Sequence, residues 1–234
     1  PDFGNFSMKK KIFINNPYWL TLGGGERYTA SVAKYFLDRN WQVDIFWPQN
    51  LSSKLRDRFE INLKRVNFVT SDWTSGYDLS FWVSDGSLPT SFSKKTLVHF
   101  QFPFKITPKV SDLIKSKLYT FVCNSRFTKH FIDTSYHTNS LVLYPPVDTS
   151  LYPPGKKTNT ILYVGRFSRL TQEKNQLQLI KSFKNISKKL PGWKLIIAGG
   201  LGIGHDEKFL ASLDAEIQKY PIKLVSNPTT DDLK

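Results

Sequence analysis

Cysteine and methionine are almost missing from this chain of 234 residues, with one of each, Cys123 and Met8. A single cysteine excludes an internal disulfide and fits a reducing compartment. Cys123 ends the apolar run that starts at Tyr119, so it reads as a buried structural thiol. With four histidines and one cysteine, no Cys/His spacing suits a zinc site, and no metal is expected. No apolar run approaches the roughly eighteen residues of a membrane span. No stretch of the chain reads as a secretory signal, and none is expected. Met8 precedes three lysines and a strand pattern, and reads as the natural start, with residues 1–7 as an added leader. Acidic residues are also scarce: 19 against 33 basic ones, a formal net charge of +14. The excess is spread, with 19 basic and 11 acidic residues in 1–146 (+8) and 14 and 8 in 147–234 (+6). It suits an anionic partner: nucleic acid, a phosphorylated small molecule or an acidic membrane surface. A hydrophobic content of 40% with 15% aromatics argues for a packed core.

What is present alternates. Strand patterns occur at 11–15, 41–47, 66–70, 79–83, 96–101, 119–123 and 141–143, with helical patterns from Glu26, over 51–59, after Pro108 and after Ser125. Trp41, Val43, Ile45 and Trp47 alternate; Phe127, Phe131 and Ile132 form the apolar side of the helix that Ser125 caps. Short strands alternating with helices mean a parallel α/β sheet. Residues 149–159 break the periodicity with Pro, Gly and charge, and read as a linker. A second α/β run follows, with strands at 160–164, 193–198 and 222–226 and helices near 173–190 and 206–219. Asp231-Asp232-Leu233-Lys234 looks like a first helical turn. The domains expected are therefore 8–148, a linker at 149–159, and 160–234. The second is small for its class and is expected to be truncated.

Two stretches carry chemistry. Ile161 to Val164 has the length of a buried strand, Gly165 ends it, and Arg166 and Lys174 flank the turn into a helix that begins near Glu173. Leu177, Ile180, Phe183 and Ile186 continue that helix. Open α/β sheets bind ligands at the carboxyl ends of strands, where an Arg fork and a Lys charge fit a diphosphate. Gly23-Gly24-Gly25 sits between a strand and a helix, so its amides and the helix dipole suit an anion. A plain tight turn has the same pattern.

Five segments in order resemble the retaining glycosyltransferases of family 4, the group 1 glycosyltransferases. They are Gly23-Gly24-Gly25-Glu26-Arg27, Val98-His99-Phe100-Gln101-Phe102-Pro103, Asn124-Ser125-Arg126-Phe127-Thr128, Tyr144-Pro145-Pro146-Val147-Asp148, and Val164-Gly165-Arg166 with Glu173-Lys174-Asn175. The resemblance implies a GT-B fold, two Rossmann-like α/β domains with parallel sheets meeting across a cleft, the second incomplete here. It implies a nucleotide-diphosphate-sugar donor as substrate, no cofactor and no metal. Arg166 and Lys174 would hold the diphosphate, with Gly23, Gly24, Gly25 and Glu26 on the donor from the first domain. Gly199 and Gly200 would lie close to it. His99 would stand by the transferred sugar, its imidazole neutral or protonated. Asp85 and Asn124 would be on the acceptor side, though Asp85 also suits an Asx-turn and Asn124 a helix cap. The spacing from Arg166 to Lys174 is a few residues longer than the compact family pattern. The family's paired glutamates would fall beyond residue 234, so this stretch alone is expected to be inactive. The acceptor would be a sugar, a lipid-linked sugar or a polysaccharide, in the cytoplasm or at the inner face of a membrane.

Other classes predict other residues. A nicotinamide-dependent oxidoreductase needs G-x-G-x-x-G after the first strand, which is missing, although Asp44 lies near the ribose position. A nucleic-acid module needs clustered bases on a known motif, and no basic run exceeds three residues, so no nucleic-acid partner is expected. A non-catalytic glycosyltransferase-like binding protein shares every motif above. Charge and the aromatic residues Trp19 and Trp73 further suggest salt-sensitive attachment to anionic bilayers.

Overall fold

The computed structural model describes residues 9–167, 174–201, 207–229 and 232. The expected leader with Met8, Glu173 and all but Asp232 of the last helical turn lie outside the described residues. The chain divides into two compact units, up to Val147 and from Asp148.

The first unit runs β1 (Lys11–Asn15), α1 (Gly24–Asp38), β2 (Gln42–Phe46), α2 (Ser52–Phe59), β3 (Asn67–Val69), β4 (Leu79–Val83), β5 (Thr96–Phe100), α3 (Val110–Leu118), β6 (Thr120–Cys123), α4 (Arg126–Tyr136) and β7 (Leu141–Val142). Its seven parallel strands stand in the order β3-β2-β1-β4-β5-β6-β7. Ile12, Phe13 and Ile14 are all fully buried, as befits a central strand covered on both faces. Ile12, Ile14, Val43, Ile45, Leu55 and Phe81 belong to one core cluster, and Val98, Phe100, Phe121, Ile132 and Tyr136 to another.

Several readings are corrected here. β2 is buried continuously rather than in alternation, because its polar Asp44 is also inside. Asp44 accepts bonds from Tyr77 Oη (2.8 Å), Asn67 Nδ2 (2.8 Å) and Gln42 Nε2 (3.0 Å), so it is committed within the unit. α1 starts at Gly24, two residues before Glu26. Phe127 is 64% exposed; Thr128, Ile132 and Tyr136 form the buried side of α4. Trp19 is fully buried, which removes it as a surface anchor, whereas Trp73 is exposed. Cys123 is buried, 3.3 Å from Ser140 Oγ, and burial pushes its thiol pKa up.

The second unit runs β8 (Thr160–Val164), α5 (Gln176–Ser187), β9 (Lys194–Gly199), α6 (Glu207–Ile217) and β10 (Ile222–Ser226), with parallel strands ordered β10-β9-β8. β7 and β8 thus belong to different sheets. Phe167, Ile180, Phe183, Leu195, Ile197, Phe209 and Leu213 make its core. β8 alternates: Ile161 and Tyr163 pack on this core, while Leu162 and Val164 are exposed, so it is not the wholly buried strand expected. It is an edge strand of its sheet.

Candidate functional site

The carboxyl edge of the first sheet collects the loops after β1, β4, β5 and β6. Strand order reverses between β1 and β4, the place where open α/β sheets leave a crevice for ligands.

After β1, Gly23 forms the N-cap of α1. Its amide donates to Glu26 Oε2 at 2.7 Å, and the Thr21 hydroxyl donates to the same oxygen. Glu26 is only 4% exposed, so this acid closes the helix end from inside, where the dipole favours negative charge. The amides of Gly24 and Gly25, in the first turn, have no intrahelical acceptor by position. They are what remains of the loop for an anion.

His99, near the end of β5, is fully buried. Its ring stacks on Tyr28, with centroids 4.2 Å apart and planes at 14°, and Phe81 lies at 5.3 Å. Burial pushes its pKa down to about 3. The imidazole is therefore neutral near pH 7. Gln101 Nε2 stands 3.3 Å from the Gly25 carbonyl oxygen and 3.4 Å from His99 Nδ1. An amide nitrogen only donates, and the Gly25 carbonyl only accepts, which orients the Gln101 amide. Nδ1 is then the accepting nitrogen and the proton sits on Nε2. That Nε2 is buried and meets no hydrogen-bond partner among the described residues. A buried, unsatisfied N–H at a strand end is where a ligand oxygen or a water belongs. A Cβ at Gly25 would stand 2.2 Å from Gln101 Oε1, so a larger residue there would displace the end of that side chain.

Asn124 joins the loops after β5 and β6. Its Nδ2 donates to the Gln101 carbonyl at 2.9 Å, and its Oδ1 accepts from the Thr128 hydroxyl at 2.8 Å. Ser125 Oγ accepts from Thr128 N at 3.1 Å and caps α4. Asp85, exposed after β4, accepts from the Ser87 amide (3.0 Å) and hydroxyl (2.7 Å), the Asx-turn anticipated. Those bonds hold its carboxyl below the usual range. Burial, then the charges of Asp85 and Glu26, raise the pKa of Tyr18.

In the second unit the chain does not turn at Gly165. Gly165 N donates to Ala198 O (2.9 Å), Phe167 N donates to Gly200 O (3.0 Å), and Phe167 bridges Leu201. Arg166 lies between these rungs, half-buried, beside a Phe167 packed in the core. Gly199 is pressed against this segment: a Cβ there would fall 1.9 Å from Gly165 O and 3.2 Å from Arg166 Cα. Gln176, the first residue of α5, is fully buried and donates from Nε2 to the Arg166 carbonyl at 2.7 Å. Lys174 lies two residues before α5 rather than opening it, because Asn175 takes a left-handed turn (φ 55°) at the N-cap. The Lys174 carbonyl accepts from the Tyr163 hydroxyl. Asn227 closes the third loop, with N to Gly199 O (2.8 Å) and Oδ1 accepting from Leu201 N (2.8 Å). Arg166, Lys174, Gly199 and Gly200 are thus gathered at one sheet edge through their backbones. Gly23, Gly24, Gly25, Glu26, His99 and Asn124 are gathered at the other unit's edge, a Cβ at Gly24 would meet open space, and Asp85 holds its own turn directly after Ser84, whose N–H donates to the His99 carbonyl at 2.9 Å.

The sequence reading passed over Gln176, Tyr28 and the assignment of Gln101. Gln176 had one signal, a polar residue where the helical apolar pattern begins. Nothing in the sequence marks Tyr28 beyond its place in the helix that follows Glu26. Among the described residues no three His, Cys, Asp or Glu side chains form a metal site. No described helix is long and apolar enough to cross a membrane.

Residues 152–224 match the family model described as Glycosyl transferases group 1. No curated protein matches the chain. Among solved structures it is similar to a glycosyltransferase from Rickettsia africae (TM-score 0.71, 15% identity, 96% of this chain and 70% of that one). It is also similar to Anabaena HepE, crystallised with UDP and glucose (TM-score 0.59, 15% identity, 96% and 71%). In fold, this is an α/β chain of the GT-B type, whose second unit carries the group 1 glycosyltransferase match.

Proposed function

We propose that this chain belongs to an enzyme that transfers a sugar from a nucleotide-diphosphate sugar to an acceptor, with retention of configuration. The observation that carries the proposal is the group 1 match over 152–224. It spans Arg166, Lys174, Gly199 and Gly200, which the backbone gathers at one carboxyl edge. Arg166 and Lys174 bind the diphosphate and offset the charge that grows on the leaving phosphate. The close contact of Gly199 with Gly165 leaves the strand ends bare of side chains, so backbone can approach the nucleotide. His99, neutral and protonated at Nε2, donates a hydrogen bond to a sugar oxygen; it serves neither as a charged electrostatic partner nor as a base. The amides of Gly24 and Gly25 supply a smaller share of anion binding, since Glu26 already occupies that helix end. The acceptor is a sugar, lipid-linked or polymeric.

Calorimetric titration with UDP, GDP and ADP tests the donor assignment. One of them should bind, and Arg166→Ala should weaken it at least tenfold; a folded protein that binds none would overturn the reading. In the active enzyme, Arg166→Ala should lower kcat/KM, chiefly through kcat, by roughly 2–4 kcal/mol. Lys174→Ala should act in the same direction and non-additively, and Arg166→Lys should rescue only in part.

A further inference from the structure

Beyond the end of β8, the backbone at Arg166 faces the open side of its sheet. Gly165 N donates to Ala198 O and Phe167 N to Gly200 O, so these two residues turn their backbone groups toward β9 and its continuation. Along an extended chain, successive residues address opposite neighbours, so the Arg166 amide and carbonyl point away from β9. Among the described residues no strand pairs with β8 on that side. The Arg166 carbonyl is met there by a side chain: Gln176 Nε2 donates to it at 2.7 Å and stands 3.5 Å from the Gly165 carbonyl. A side-chain amide takes the place of a neighbouring strand.

The setting makes this bond a strong constraint. Gln176 is fully buried, so water does not compete for its amide. It is the first residue of α5, directly after the left-handed Asn175 (φ 55°) and two positions after Lys174. One side chain therefore ties the Arg166 backbone to the turn that carries Lys174. Gly199 presses on the same segment from the β9 side, where a Cβ would lie 3.2 Å from Arg166 Cα. Gln176 Oε1 is buried and meets no hydrogen-bond partner among the described residues. An apolar side chain of equal length would fill this space without leaving an acceptor unsatisfied. The distinctive contribution of the glutamine is the bond from Nε2.

We propose that Gln176 is a positioning residue for diphosphate binding. By fixing the Arg166 backbone it sets the direction in which the guanidinium leaves the strand end. Gln176 itself is sealed from solvent and acts only through Arg166. The inference rests on the nucleotide-sugar reading above.

Calorimetric titration with UDP, GDP and ADP is the test, using the whole chain and its variants. Gln176→Met keeps the bulk and removes the donor, and should weaken the nucleotide that binds by about tenfold. Gln176→Met's control is Gln178→Met, exposed on the same helix, which should change nothing. In Gln176→Glu a carboxylate would set an oxygen against the Arg166 carbonyl, whereas a protonated carboxyl donates as the amide does. Burial raises the pKa of the introduced group, and Arg166 and Lys174 act against this, so the comparison spans about pH 5 to about pH 8. Relative to the unaltered chain at each pH, the Glu variant should bind equally at the lower pH and about tenfold more weakly at the higher. A residue that only fills space would shift the thermal melt without making nucleotide affinity follow a proton. If the unaltered chain binds no nucleotide, the nucleotide-sugar reading falls. If it binds, and folded Gln176→Met binds as well as the unaltered chain, this inference alone is overturned. A Glu variant whose relative affinity is the same at both pH values overturns it too.

Discussion

His99 is held in one protonation state and one tautomer by three neighbours. Tyr28 covers its face, Gln101 donates to Nδ1, and Gly25 leaves room for Gln101. Nitrogen chemical shifts of labelled histidine should show the Nε2-protonated form at pH 7. Gln101→Met removes the donor and should produce a tautomer mixture, and Gly25→Ala should do the same by displacing the amide. A pure Nδ1-protonated ring in the unaltered protein would contradict this. The same burial links stability to pH. The unfolded ring titrates near 6.5 and the folded one near 3, so between these values the unfolded chain holds the extra proton. Stability is full above pH 6.5 and falls as the pH drops, with a slope approaching about 1.4 kcal/mol per pH unit. Asp78, Asp85 and Glu216 also lose stabilisation in acid, but through carboxyls held below the usual range, and so below about pH 4. Urea unfolding at pH 7.5 and 5.0 should therefore isolate the histidine, and His99→Gln should flatten the difference.

At the level of elements, helix ends and strand ends carry the site. Ser125→Ala removes the side-chain cap of α4 and should cost about 1 kcal/mol, read from urea midpoints. Gly199→Ala forces β8 and β9 apart at the Gly165–Arg166 segment. It should destabilise the second unit by about 3 kcal/mol and abolish nucleotide binding, while leaving the first unit's unfolding unchanged. Loss of binding without loss of stability would mean that the crowding at Gly199 is relieved at little cost.

For the whole molecule, the division is the governing fact. Each unit has its own parallel sheet and its own core clusters. Residues 152–159, at the start of the second unit ahead of β8, are all exposed and contain Lys156 and Lys157. Trypsin should cut there early, leaving a first-unit fragment that keeps its circular dichroism and melts in a single transition. If residues 9–147 are digested as fast as the 152–159 stretch is cut, the first unit does not stand alone.

The sequence by itself determined the elements and their order, because period and punctuation are local. The runs at 11–15, 79–83 and 222–226 became strands with the bounds expected. It also marked most residues of both edges, since glycine loops and cations at strand ends are visible as composition. Tertiary structure alone decided what each side chain faces. Phe127 and Trp19 are both aromatic, yet one is exposed and the other sealed, because helix packing and loop path rather than hydropathy select the buried side. Gln176, Gln101 and Tyr28 were not legible, because each acts on a residue distant in sequence or on a backbone carbonyl. The neutral state of His99 was likewise undecided until the fold placed it. A ring's charge depends on the water and dipoles around it, and only packing removes that water.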